Sequence, residues 1–301
     1  MPPLSFDFVV SAENNYYNSW QAMLFHYTCM KQMKQAPIIV VHGDDREELL
    51  RPFELIRQHG GRIQRARNFR YDAGWDYPPR NTAGSLSVVQ SDADFLVLCD
   101  PDMVIFRPLP LDQLGLANHQ ISYDRVTYLT VKDENRDQLE ECCRAAGVAL
   151  QSLADHRFSG GVPHVIPRVL QARLSSEWLR CMTFFEPADA MLRKQPGFHV
   201  DWLATMWALT FAIQRLDLEV VMTEWNLINW PGTRRTDEFD KQTECIVHYC
   251  YNDKEFNKRD YMDESGACSR VWKSSCTPHT INALIVRELR EAADFYSINC
   301  E

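Results

Sequence analysis

Four short apolar runs, each separated from the next by a helix-length stretch, constrain the first hundred residues more than any other feature. "FDFVVSA" (Phe6 to Ala12), "PIIVVHG" ending at Gly43, a shorter run near Ile63 and "DFLVLC" ending at Cys99 read as strands. Between the first two, "YNSWQAMLFHYTCMKQM" sets Trp20, Met23, Leu24 and Tyr27 on one helical face. Next, "REELLRPFELIRQHGG" does the same with Leu49, Leu50, Phe53 and Ile56, and stops at Gly60 and Gly61. A loop, "YDAGWDYPPRN", and a helix from about Thr82 lead into the fourth run. Such alternation predicts an α/β fold, with a mostly parallel central sheet and helices on both faces. In these sheets ligands collect outside the carboxyl ends of the strands.

The second half is less regular. "QISYDRVTYLTV" alternates like a strand and "ENRDQLEECCRAAGVA" reads as an exposed helix. "FSGGVPHVIP" is a loop entering a strand. "VLQARLSSEWLRCMTFF" and "HVDWLATMWALTFAIQRL" are amphipathic helices, "LEVVMTE" and "CIVHYCY" are strands, and "TINALIVRELREAADFY" closes the chain as a helix. No repeat, low-complexity tract or linker interrupts the 301 residues. At 45% hydrophobic they can bury a large core, and one domain over 1–301 is the economical reading.

The fourth run carries the puzzle. In "FLVLCDPDMVIF" the acids Asp100 and Asp102 flank a proline inside an apolar stretch, where burial costs several kcal/mol unless they are neutralised. Either the strand ends at Cys99 and the acids emerge at its tip, or they hold a cation. An Asp-x-Asp triplet is weak evidence alone, and Asp92-Ala93-Asp94 is a second copy just upstream. Position separates the two. Asp92 and Asp94 precede the strand and are expected to be solvated, whereas Asp100 and Asp102 follow it, where ligands gather. Hard carboxylate oxygens suit Mn²⁺ or Mg²⁺, ions that typically bridge acids to substrate phosphates. The plainer alternative is a strand-to-turn junction with two solvated acids.

A rival chemistry also starts from a strand and Asp-x-Asp: phosphohydrolases of the haloacid dehalogenase type. Those add a glycine-bearing turn directly afterwards and a downstream Gly-Asp cluster. Here Met103 to Phe106 continue as an apolar run, and the only Gly-Asp, Gly43-Asp44, lies upstream. A third reading is a catalytically silent binding module.

Late in the chain, "VHYCYNDKEFNKRDY" adds an imidazole, His248, in an apolar strand. Alone it reads as a core residue; with two carboxylates it makes a reasonable metal set. Lys258 and Arg259 are then candidate diphosphate contacts. The net charge of −9 argues against a nucleic-acid partner, and Arg62, Arg65, Arg67 and Arg70 read as a solvated strand edge. No run has the length of a membrane span and no signal pattern opens the chain, so the compartment expected as written is cytoplasmic, or the secretory lumen if an anchor or signal was removed. The ten cysteines contain no CxxC pair. Cys29 and Cys99 sit in apolar surroundings, and Cys268 and Cys276 can pair only in an oxidising compartment.

Several of these segments together resemble glycosyltransferases of the GT-A fold, and more narrowly the peptidyl hydroxyproline O-arabinosyltransferases and peptidyl serine α-galactosyltransferases. The segments are "YYNSWQAMLFHY", "LCDPDMVIFRPLP", "HVDWLATMWALTFA" and "VHYCYNDKEFNKRDY", in order from about residue 6 to 261. The resemblance implies transfer of arabinose, galactose or a similar sugar from a UDP-sugar donor to a hydroxyl acceptor on a peptide or small molecule, with retention of configuration. It implies Asp102 as a direct metal ligand, Asp100 as a ligand or a contact to the ribose through water, and His248 as the last protein ligand. Ser11 and Arg80, with Lys258 and Arg259, become donor contacts. Asp201 becomes catalytic or acceptor-binding, and Trp75, Tyr77 and Trp202 become aromatic platforms for the acceptor. The chain departs from the group in three respects. It has Asp100 where the group tends to have Glu, it has Asp201 in the first turn of a helix where the group has a Glu further in, and it lacks the plant members' N-terminal anchor.

Overall fold

The structure, a computed structural model, describes residues 4–72, 76–154, 160–185, 200–228, 234–238, 243–250, 255–262 and 270–298. In chain order the strands are β1 (Phe6–Glu13), β2 (Ile38–His42), β3 (Arg62–Ala66), β4 (Phe95–Cys99), β5 (Met103–Ile105), β6 (Gln120–Arg125), β7 (Gly160–Pro167), β8 (Glu219–Thr223), β9 (Asn226–Ile228) and β10 (Ile246–His248). The helices are α1 (Tyr16–Met33), α2 (Arg51–Gln58), α3 (Arg80–Val88), α4 (Asp133–Ala146), α5 (Leu150–Ala154), α6 (Gln171–Met182), α7 (Val200–Arg215) and α8 (Ile281–Phe295). Seven strands form a mixed, mostly parallel sheet in the order β3-β2-β1-β4-β7-β6-β8, and three form a small sheet, β5-β10-β9. No described helix is long and apolar enough to cross a membrane.

The chain divides into two compact units, each assembled from distant segments. The first comprises 1–7, 68–98 and 112–223. Here β7 pairs antiparallel with both β4 and β6, and β6 pairs parallel with β8. Every residue of β7 is buried, as expected for a strand covered on both faces. Close packing of β6 on β7 depends on Gly160, where an added Cβ would lie 1.7 Å from a ring carbon of Tyr123. Helices α6 and α7 pack together, and the Trp178 indole N–H donates to the Thr205 carbonyl at 2.7 Å. The upstream Asp-x-Asp belongs to this unit. Asp92 and Asp94 are exposed as expected, and Asp94 Oδ2 accepts from Ser5 N–H at 2.9 Å and from Ser5 Oγ at 2.8 Å. It is a local strand clasp with no cation in prospect.

The second unit comprises 8–67, 99–111 and 224–301. Strands β1, β2 and β3 run parallel, with β1 opposing β2 through Val9↔Ile38 to Glu13↔His42. Helix α1 opens on Asn15, whose side chain accepts from Asn18 N–H at 2.8 Å, and it buries Trp20, Met23 and Leu24. The arginines of β3 are spent on the backbone. Arg62 donates to the Ala36 carbonyl, and Arg65 donates to the carbonyls of Glu47 and Asp44. This edge therefore offers less to a phosphate than its charge suggests.

Two boundaries differ from the sequence reading. Helix α2 starts at Arg51, not at Arg46, because Pro52 sits comfortably only in the first turn. The run from Gln120 is a strand only to Arg125, since β7 supplies no partner beyond that point. Strand β4 ends at Cys99 as read, and the apolar run after Asp102 is a separate strand, β5.

Candidate metal centre

The centre is built within the second unit by the small sheet. Strand β5 pairs antiparallel with β10, placing His248 opposite Met103, and β10 pairs parallel with β9. Tyr249 N–H then donates to the Asp102 carbonyl at 3.1 Å, one rung beyond the ladder. These main-chain bonds bring a residue near position 100 beside one near 250. Pro101 turns the chain between β4 and β5, and the Asp100 N–H points to Met103 Sδ at 3.3 Å.

The ligand atoms of Asp100, Asp102 and His248 all lie within 4.8 Å of one another. His248 Nε2 is 3.2 Å from Asp102 Oδ1 and 3.8 Å from Asp100 Oδ2. The other oxygen of Asp102, Oδ2, is in contact with Lys258 Nζ. Asp102 and His248 are buried, whereas the Asp100 side chain keeps 33% of its exposure. Electrostatics separate the two acids. Desolvation, and then the charge of Asp102, push Asp100 up to about 6 against the pull of His248 and Lys258. Burial also works to raise Asp102, but Lys258 and His248 outweigh it and hold this carboxyl well below the usual range. For His248, burial opposes the charged ring, yet Cys250 and Asp102 together raise its affinity for a proton well above the ordinary value.

Behind the centre lies an aromatic wall. Trp20 stacks on Tyr249 with centroids 6.0 Å apart and meets Phe256 and Tyr261 edge-on at 6.4 and 6.1 Å. The turn Lys258–Tyr261 is capped by Asn257, whose side chain accepts from Arg259 N–H at 3.1 Å. Tyr17 is hydrogen bonded to Lys258. Two carboxylates and an imidazole form an O, O, N set that suits Mn²⁺, with Mg²⁺ the more demanding alternative because it favours oxygen alone. The residues fit a divalent ion.

Of the remaining candidates, Ser11 lies inside β1, opposite Val40 and buried, and not at the strand's end as the sequence suggested. Arg80 is the first residue of α3 and only 3% exposed, an unfavourable helix end for a cation unless it has a further task. Tyr77 is buried, and its hydroxyl accepts from Thr205 N–H of α7 at 2.8 Å, so the loop that carries it does meet this helix. Arg259 is exposed. Asp201 and Trp202 fall in the first turn of α7, but their side chains are outside the described residues, as are Trp75 and Cys268. Sequence reasoning missed Tyr17 and the tie between Lys258 and Asp102. The first sits in the quoted "YYNSW" segment, which was the available signal; the second leaves none.

No protein-family model matches the chain, and no curated protein matches its sequence. Solved structures do match. An active-site mutant of LgtC superposes with a TM-score of 0.52 at 12% identity, covering 95% of each chain. The fold is of the GT-A type. LgtC, described as a galactosyltransferase in complex with donor and acceptor sugar analogues, matches at 0.47 and 13% identity over 96% of this chain and 95% of that one. The apo form of mouse xyloside xylosyltransferase 1 matches at 0.45 and 10% identity over 83% and 99%. At these identities the likeness is one of fold.

Proposed function

We propose that this chain is a metal-dependent glycosyltransferase that moves a sugar from a UDP-sugar to a hydroxyl acceptor on a peptide or small molecule. One observation carries the reading: Asp100, Asp102 and His248 converge just beyond the carboxyl end of β4 in a GT-A fold. The resemblance to the arabinosyltransferase and galactosyltransferase group supports a pentose or hexose donor. The phosphohydrolase alternative is not favoured. Its acids would stand with a glycine-bearing turn after them, whereas here the chain goes directly into β5, pinned to β10. A silent binding module would hold the donor without turnover.

In this reading Asp102 and His248 hold the ion, and Asp100 holds it or contacts the ribose through water. A bound divalent ion supplies Lewis-acid stabilisation of the charge that builds on the departing diphosphate. Lys258 and Arg259 contact the diphosphate, while Ser11 and Arg80 serve the rest of the donor. In the reaction the bond from the sugar's anomeric carbon to the diphosphate oxygen breaks with its electrons on that oxygen. A bond to the acceptor oxygen forms, and the acceptor's proton passes to the departing diphosphate oxygen, which has gained the electron pair. Asp201 accepts the hydrogen bond from the acceptor hydroxyl, and Trp75 and Trp202 stack on the acceptor. Tyr77, whose hydroxyl accepts from Thr205 N–H, positions α7. The resemblance favours retention of configuration. The test is hydrolysis and transfer measured over a panel of UDP-sugars with and without Mn²⁺. Metal-dependent consumption of one donor is expected. Phosphate release from simple monoesters without nucleotide consumption would replace this reading with the hydrolase.

A further inference from the structure

Both oxygens of Asp102 are engaged: Oδ1 faces His248 Nε2 at 3.2 Å and Oδ2 touches Lys258 Nζ. This is no ordinary surface ion pair, since the two side chains keep only 12% and 9% of their exposure. The backbone beneath Lys258 is anchored. Asn257 caps its turn, Tyr261 packs on Phe256 and Trp20, and the Tyr261 hydroxyl is 2.8 Å from Ser274 Oγ. The four-carbon stem is the part of this segment able to move.

Charge counting gives Lys258 a task beyond contacting phosphate. Two carboxylates and one ammonium leave the cluster with one net negative charge when His248 is neutral. A divalent ion entering beside Lys258 turns this to one net positive charge in a poorly hydrated place, where like charges a few ångströms apart repel strongly. A diphosphate reverses the sign again and offers the ammonium a better partner. We propose that Lys258 is a resident cation that competes with the divalent ion for Asp102 and is drawn away by the donor's diphosphate, so that metal and nucleotide load cooperatively. The inference rests on the metal centre proposed above, and it assigns to that centre a coupling between metal and nucleotide.

Two other roles for Lys258 predict different results. A lysine that only binds phosphate leaves metal affinity unchanged when removed. A lysine that orients Asp102 for the metal weakens metal binding when removed. The experiment is Mn²⁺ titration by calorimetry of the wild-type chain, Lys258→Met and Lys258→Gln, each with and without UDP, with thermal midpoints to verify folding. Without UDP, both variants are expected to bind Mn²⁺ about tenfold more tightly than wild type. In wild type, UDP should tighten Mn²⁺ binding about tenfold, and Mn²⁺ should tighten UDP binding by the same factor, as linkage requires. In the variants that mutual enhancement should shrink to about threefold or less. Equal or weaker Mn²⁺ affinity in the folded variants overturns the competition while leaving the metal centre standing. Absence of Mn²⁺ binding by all three proteins, even with UDP, overturns the centre and this inference together.

Discussion

The main-chain N–H of Tyr249 donates to the carbonyl of Asp102 over 3.1 Å, and this rung sets His248 beside Asp102. Because the rung is backbone, it survives changes to the ligand side chains. Asp102→Asn should therefore keep the fold and lose Mn²⁺ affinity by about tenfold or more, read by calorimetry beside circular dichroism. Asp94→Asn, in the upstream triplet, retains an acceptor for Ser5. It should cost less than about 1 kcal/mol and leave Mn²⁺ binding unchanged.

Acid should loosen the second unit before it reaches the ordinary carboxylate range. His26 is fully buried, with Nδ1 2.5 Å from the Tyr296 hydroxyl, and His42 is buried with Nδ1 2.9 Å from the Arg67 carbonyl. Burial lowers both to about 4, assisted at His26 by His59 and opposed at His42 by its backbone bond. These depressed values mean that the unfolded chain binds more protons between about pH 6.5 and 4. Stability is then full above that window and falls as pH drops through it, by up to about 3 kcal/mol for each histidine. Urea midpoints at pH 7 and pH 5 check this. His26→Gln should flatten part of the slope, and an unchanged slope would count against His26 as a source.

Trp20 joins the helix α1 to the turn that carries Lys258 through its contacts with Tyr249, Phe256 and Tyr261. Trp20→Ala should cost about 3–5 kcal/mol in chemical denaturation, while Trp20→Phe should cost visibly less. A loss below 1 kcal/mol for the alanine variant, roughly the effect of a surface change, would show that this cluster is not core.

In the first unit, Gly160→Ala forces a methyl into the Tyr123 ring. The expected destabilisation is about 1–3 kcal/mol, largely relieved in a Tyr123→Ala background, where the double-mutant cycle reports the clash directly. Additive losses would place the cost in the backbone instead.

Much of this arrangement was legible in the sequence. Strands β1, β2 and β4 announce themselves because they are buried along nearly their whole length and their runs are mostly apolar. Position at the end of β4 singled out Asp100 and Asp102 over Asp92 and Asp94, and the structure brings those two acids together with His248. The second sheet was not legible. Strand β10 was read within "CIVHYCY", but β5 and β9 are three residues each, too short for a period to show, and the β5–β10 pairing joins segments more than a hundred residues apart. The Lys258–Asp102 contact spans 156 residues and depends on that pairing, so a lysine in a polar stretch carried no sign of it. Helix α2 was overextended because a run of good helix formers precedes Pro52, and the proline rather than the propensity fixes the start.

The central claim is that Asp100, Asp102 and His248 present a divalent ion to a nucleoside diphosphate. Its most direct measurement is the thermal midpoint of the wild-type chain and of His248→Ala with UDP, in Mn²⁺ and in EDTA. The account predicts that UDP raises the wild-type midpoint in Mn²⁺ but not in EDTA, and that His248→Ala folds yet loses the Mn²⁺-dependent rise. A UDP-induced rise of equal size in EDTA, or one that His248→Ala retains in full, would contradict it.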